Sequence, residues 1–268
     1  MRICLGIATT VALLALPATT GAGSRAGTPM HWTIDGVQRT AIVFAPAPTT
    51  TGAVKHPLVF AFHGHGGNAQ VTAMQMHLQT VWPQAIVVYP QGLNSPSPLD
   101  PSATKPGWQF KSGDSNNRDL KLFDAMVATL KQRYQVDPRR IYTTGFSNGG
   151  IFSYLLWAER AKTIAAVGEV AGSLDATETL TTPRALLAIA GKQDTTNPFS
   201  NQVDSIERAR QADNATGPGT PCGPICTFYP SAGGNKTPVK TLIHPLAHVY
   251  PPWAPAQIVT FFKAHPQP

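Results

Sequence analysis

Residues 140–150 read RIYTTGFSNGG. A β-branched, apolar run ends at Gly145, and Gly145, Ser147 and Gly149 then follow at intervals of two. This order suits a strand that turns sharply into a helix and lifts a serine hydroxyl to the tip of the turn, where glycines let the backbone close up. Gly and Ser are also ordinary turn residues, and a chain of this length carries G-x-S-x-G by chance about once in ten. The surrounding sequence has to decide between the two readings.

Working outward from the serine, the patterning alternates. His31–Ile34 and Arg39–Phe44 are strand-like around Asp35-Gly36, a strong hairpin pair. Pro57–Phe62 and Ala85–Tyr89 are short apolar runs of the buried-strand kind, with a helix expected over 69–80 between them. Gly92–Gly113 reads as a long loop carrying Trp108 and Phe110. Leu120, Phe123, Met126, Val127 and Leu130 have helical spacing within 119–134, stopped by Asp137-Pro138. After the serine come a helix over about 149–160, apolar runs at 164–170, 185–190 and 239–243, and a closing helix at 256–263. Strands alternating with helices call for an α/β fold with a mostly parallel sheet and helices on both faces. In such sheets sites gather at the carboxyl ends of strands, which is where Ser147 falls.

A serine hydroxyl is a poor nucleophile until a base, usually His held by a carboxylate, takes its proton. In this architecture the partners follow in the order Ser, acid, His. Asp194, directly after the apolar run 185–190, best fits the acid, with Asp175 as the alternative; Asp204, Glu207 and Asp213 read as solvated charges. His248, in the loop after 239–243, best fits the base, with His244 at the strand end as the alternative. Acyl transfer also needs N–H donors for an oxyanion. The backbone of Asn148 and that of His65, in the glycine-rich loop His63-Gly64-His65-Gly66-Gly67, are the candidates. Trp108 and Trp253 are candidate pocket walls.

Composition narrows the class. The chain has 268 residues, 42% hydrophobic and 13% charged, which suits a globular domain with a sizeable core. Its formal charge of +7 is scattered, with no basic stripe interleaved with aromatics, so nucleic acid is not an expected partner. Arg2 followed by the apolar run 3–16, Pro17 and small residues has the layout of a secretory leader, with cleavage after Ala22 or Ala18, and is too short to span a membrane comfortably. Residues 1–22 are therefore expected to be a signal peptide, 23–268 one catalytic domain, and the protein secreted or periplasmic. Cys4 lies inside the leader. Cys222 and Cys226 remain, four apart in a Pro/Gly-rich loop, and can close a small disulfide in an exported protein, the alternative being two free thiols. Two cysteines alone do not fill a tetrahedral shell, so no metal site is expected. The sequons at Asn214 and Asn235 matter only in a glycosylating source.

The chain resembles the secreted α/β-hydrolase esterases grouped with polyhydroxybutyrate depolymerases and feruloyl or acetylxylan esterases. The likeness runs from Asp35-Gly36-Val37-Gln38-Arg39 to His248-Val249-Tyr250-Pro251 and is most specific in HGHGG at 63–67 and YQVDPRRIYTTGFSNGG at 134–150. It implies an α/β-hydrolase fold and hydrolysis of carboxylic esters without a cofactor, with Ser147 as nucleophile, His248 as base and Asp194 as its partner. The family often has Gly where this chain has Ala247, Trp where it has Tyr250, and His-Gly-x-x-Asp where it reads Ala190-Gly191-Lys192-Gln193-Asp194. The Thr-rich linker and binding module of polymer-attacking relatives are absent from the sequence. The expected substrate is a soluble ester on a plant-polysaccharide fragment or a hydroxyalkanoate oligomer. A serine peptidase of the same fold and an inactive hydrolase scaffold that only binds are the alternatives.

Overall fold

The computed structural model describes residues 26–46, 54–234 and 236–267. The leader at 1–22, with Cys4, and Asn235 lie outside the described residues. β1 (Thr28–Ile34) and β2 (Val37–Phe44) form the antiparallel hairpin that Asp35-Gly36 predicts. Both turn residues have positive φ, 49° and 79°, which matches the right-handed twist of the strands they join.

β3 (His56–Phe62) is followed by α1 (Ala69–Met76) and α2 (Leu78–Val81), two helices in place of the one expected. His77, at φ 34°, breaks the ladder between them, and the Tyr89 hydroxyl accepts the N–H of Leu78 at 3.0 Å. β4 (Ile86–Pro90) is buried throughout. The long loop after it holds a small ladder, β5 (Leu93–Asn94) with β6 (Pro106–Gly107). α3 (Arg118–Arg133) turns Leu120, Phe123, Met126, Val127 and Leu130 inward, as their spacing requires.

β7 (Val136–Phe146) starts earlier than its apolar run, because Val136 pairs with His56 across a register shift that accommodates the Asp137-Pro138 step. α4 (Asn148–Arg160), β8 (Ala166–Val170) and β9 (Ala185–Gly191) follow. α5 (Phe199–Ala212) is a helix in a stretch whose sequence suggests only solvated charges. The cysteine loop is a hairpin, β10 (Thr220–Gly223) and β11 (Cys226–Tyr229), closed by the Cys222–Cys226 disulfide. β12 (Val239–His244) and α6 (Ala254–Ala264) complete the chain.

The strands form one ten-stranded sheet in the order β1-β2-β4-β3-β7-β8-β9-β12-β11-β10. From β4 to β12 neighbours run parallel, and each edge is finished by antiparallel strands. Alternate residues of the central strands enter two cores: Leu58, Phe60 and Phe62 meet Phe123 and Phe152, while Val59 and Ala61 share the other core with Tyr142 and Phe262. Burial on both faces explains why these strands read as continuous apolar runs rather than alternating ones. A fully buried ion pair, Arg39 to Asp119 at 2.7 Å, ties the hairpin to α3. Because β3, β7, β8, β9 and β12 are parallel, their carboxyl ends open on one edge of the sheet.

Candidate active site

Ser147 stands between β7 and α4 with φ 56° and ψ −121°, a conformation that L-residues rarely adopt. Glycines make the turn possible by close approach. A Cβ on Gly145 would run into the backbone of Gly149, and one on Gly149 into the carbonyl of Phe62. The turn is pinned by the Ser147 N–H, which donates to Val170 O at 2.8 Å. Ser147 itself stays partly open to solvent.

Asp194 lies in the turn after β9 with its side chain fully buried. Its Oδ1 accepts the N–H groups of Thr196 at 2.9 Å and Asn197 at 3.0 Å. Its Oδ2 faces His248 Nδ1 at 2.7 Å. The His248 ring lies 4.8 Å from that of Phe146, the residue before the serine. The loop after β12 thus returns over the turn that carries Ser147, with Tyr250 edge-on to the same Phe146 ring at 6.0 Å. The other candidate base, His244, is buried at the strand end, where its Nδ1 accepts Leu246 N–H at 3.2 Å. Burial depresses its pKa, and the charge of Asp194 opposes that shift. Asp175 does not meet His248 among the described residues; its carboxylate bonds Thr177, and these bonds hold it below its usual range although burial pulls the other way.

The glycine-rich loop after β3 is built around two histidines. His63 is buried; its Nε2 accepts Gly92 N–H at 2.9 Å, so its Nδ1 carries the proton shared with Gly64 O at 2.8 Å. Burial lowers its pKa and keeps the ring neutral. His65 reaches Asp100 through its ring, Nε2 to Oδ2 at 3.1 Å. Burial opposes ionisation of Asp100, but bonds from Thr104, His65 and Lys105 hold its carboxyl down at about 2. The N–H groups of Gly66 and Gly67 are taken up by Pro106 O and Gly64 O. The Asn148 N–H heads α4, where first-turn donors have no partner within the helix.

Trp108 does not line a pocket. Its indole N–H donates to His63 O at 2.9 Å, and its ring packs against Phe62 and Phe152 with no exposed surface. An internal acceptor for its one polar atom is what allows so large a residue to be buried. Phe110, two residues on, lines instead a cavity of about 350 Å³ bounded by Pro98, Ile151, Ser173, Leu174, Asp175, Ala176, Asn197, Asn201 and Asp204. Ile151 is one helical turn past Ser147 and donates its N–H to the Ser147 carbonyl at 2.9 Å, so the cavity reaches α4 one turn beyond the serine, which itself does not line it. Trp253 belongs elsewhere, in a cavity of about 300 Å³ beside the disulfide with Ile225, Lys240, Leu242 and Gln257. The cavity residues come from three loops and two helices, and no spacing in the sequence groups them. Among the described residues no group of three or more His, Cys, Asp or Glu is placed to hold a metal ion, and no helix is long and apolar enough to cross a membrane.

Comparison with solved structures settles the fold. An acetyl xylan esterase from Aspergillus awamori superposes over 89% of this chain and 100% of its own, with a TM-score of 0.62 at 15% identity. A CE1 ferulic acid esterase from Anaeromyces mucronatus, solved with ferulic acid, covers 91% of this chain and 93% of its own at TM-score 0.58 and 15% identity. The chain has the α/β-hydrolase fold. In sequence the chain is similar to feruloyl esterases: 28% identical over 186 residues to the probable feruloyl esterase C of Aspergillus niger (66% of this chain, 61% of that one), and 27% over 205 residues to feruloyl esterase C of Emericella nidulans (72% and 68%). It thus spans less than two thirds of the A. niger relative. The prolyl oligopeptidase family model matches residues 104–220, a span that includes Ser147 and Asp194 but not His248.

Proposed function

We propose that this α/β-hydrolase is an exported serine esterase. The observation that carries the reading is the short His248–Asp194 bond beside a strained, partly open serine. His248 takes the Ser147 proton as Oγ attacks the ester carbonyl, then gives it to the leaving alcohol. Asp194, anchored through Oδ1 by two backbone N–H groups, keeps the Nδ1 proton of His248 in place so that Nε2 is the basic nitrogen. The oxyanion takes the N–H groups of Asn148 and His65, and a water activated by His248 releases the acid. These roles call for no cofactor or metal.

Feruloyl and acetylxylan esterase relatives support a substrate drawn from acylated plant-polysaccharide fragments, with a hydroxyalkanoate oligomer as the alternative. The cavity that begins at Ile151, one helical turn past Ser147, is of a size for one sugar or aromatic unit. The leader reading at 1–22 and a disulfide in the fold support export. The test compares the mature protein with Ser147→Ala on p-nitrophenyl acetate and butyrate, methyl ferulate, acetylated xylan and a 3-hydroxybutyrate oligomer. Turnover that requires the serine is expected; equal rates for both proteins would sink the assignment.

The prolyl oligopeptidase match supports a second reading, a serine peptidase. A peptide anilide cleaved faster than a p-nitrophenyl ester would select it.

A further inference from the structure

Gln202 lies in the first turns of α5 with no exposed surface. Its Nε2 donates to Asp194 Oδ2 at 2.9 Å and to Asn197 O at 2.7 Å. Its Oε1 is buried with no hydrogen-bond partner among the described residues. The orientation of the amide follows from chemistry: reversed, it would set an oxygen against a carboxylate oxygen and a carbonyl. An unpaired buried acceptor costs stability. What the amide gains in return is the pair of bonds it donates. One of them goes to the same carboxylate oxygen that meets His248.

We infer that Gln202 is a positioning residue for the proposed hydrolysis: its amide shares Asp194 Oδ2 with His248 and limits how strongly that oxygen pulls on the imidazole. The inference rests on the serine-esterase reading. Asp194 does not depend on Gln202 for its place, because Oδ1 is held by Thr196 and Asn197 and the Asp194 carbonyl accepts Phe199 N–H at 3.1 Å. The amide therefore acts mainly on the charge that Oδ2 presents. A carboxylate relieved of one N–H donor binds an imidazolium more strongly. His244, at the end of β12, also feels the charge of Asp194. Asp204 and Arg208, also on α5, face the cavity and the carbonyls of Leu174 and Asp175 instead.

The test is Gln202→Met, which keeps the length of the side chain and removes the donor, with Gln202→Leu as a second variant. The pH profile of kcat/KM on p-nitrophenyl acetate is measured for each beside wild type. The acid limb is expected to move up by about half a pH unit or more, with KM little changed. Profiles that superimpose overturn the inference, and so does a uniform loss of rate with an unmoved limb, which would mark Gln202 as structural only. NMR titration of His248 in a Ser147→Ala background, with and without Gln202→Met, reads the same shift without turnover. An ester reading that fails because Ser147→Ala retains full activity is thus distinguished from a His248 titration that does not respond to Gln202.

Discussion

Asn148 and Trp108 hold each other through two reciprocal bonds: Trp108 N–H donates to Asn148 Oδ1 at 2.7 Å, and Asn148 Nδ2 donates to Trp108 O at 3.0 Å. The residue after the proposed nucleophile is thereby locked to the middle of the long loop. The same loop contributes Pro98 and Phe110 to the cavity, and its Pro106 carbonyl holds Gly66 of the glycine-rich turn. Asn148→Ala would leave a buried N–H and C=O of Trp108 unpaired. A loss of about 2 kcal/mol is expected, or about 4–8 °C in Tm. Because the loop flanks the serine, kcat/KM on p-nitrophenyl butyrate should fall as well. A thermal melt and a rate measurement on the variant check both.

Stability should decline as the solution is made alkaline. Glu169 and Asp213 are fully buried, and desolvation raises each carboxyl to about 8, against bonds from the N–H groups of Gly172 and Arg184 respectively. Among the described residues Asp213 Oδ2 has no hydrogen-bond partner, and Glu169 faces the Tyr154 hydroxyl. A carboxyl whose folded pKa lies above its unfolded value binds more protons in the folded state. Its contribution is therefore complete at low pH and is lost as pH climbs from the unfolded values near 4 toward 8. Melting temperature should fall between pH 5 and pH 8. The double variant Glu169→Gln and Asp213→Asn should flatten that slope, and a slope unchanged in the variant would refute the assignment.

The Cys222–Cys226 bridge closes a short loop that joins β10 to β11 at the outer edge of the sheet, with β12, β9 and β8 between it and the strand that leads to Ser147. A loop of this length restricts the unfolded chain by about 2 kcal/mol. Reduction, or Cys222→Ser with Cys226→Ser, should lower Tm by a few degrees and leave the rate on p-nitrophenyl butyrate at 25 °C unchanged. Calorimetry with and without reductant separates the two effects.

The cavity that Phe110 and Ile151 line carries two carboxylates, Asp175 and Asp204. The hydrogen bonds to Asp175 keep it ionised at neutral pH against the effect of burial. Like charges brought within a few ångströms repel. Wild type should therefore hydrolyse p-nitrophenyl butyrate well ahead of p-nitrophenyl hemisuccinate. Asp175→Asn with Asp204→Asn should narrow that ratio several-fold, and more so at low salt. A ratio that does not respond to the substitutions would show that the cavity does not hold the acyl group.

What the amino-acid sequence determined by itself was whatever rests on local periodicity and chain order. Apolar runs bounded by turn residues placed the central strands, the Asp35-Gly36 pair set the first hairpin, and Ser147, Asp194 and His248 each fall just past a strand. The tertiary structure decided what depends on which surfaces meet. Trp108 and Phe110 are both aromatic and two residues apart, yet one is sealed in the core and the other lines a cavity: Trp108 is packed against Phe62 and Phe152 with its N–H on a buried carbonyl, whereas Phe110 meets the surfaces of α4, α5 and the loop after β8. Asp213 reads as a solvated charge and is fully buried, since α5 packs its end against Arg184. Gln202 carries no signal in the sequence at all. It matters only because folding brings α5 over the turn after β9, and a hydrogen bond to Asp194 is a relation between two surfaces that no spacing along one strand or helix encodes.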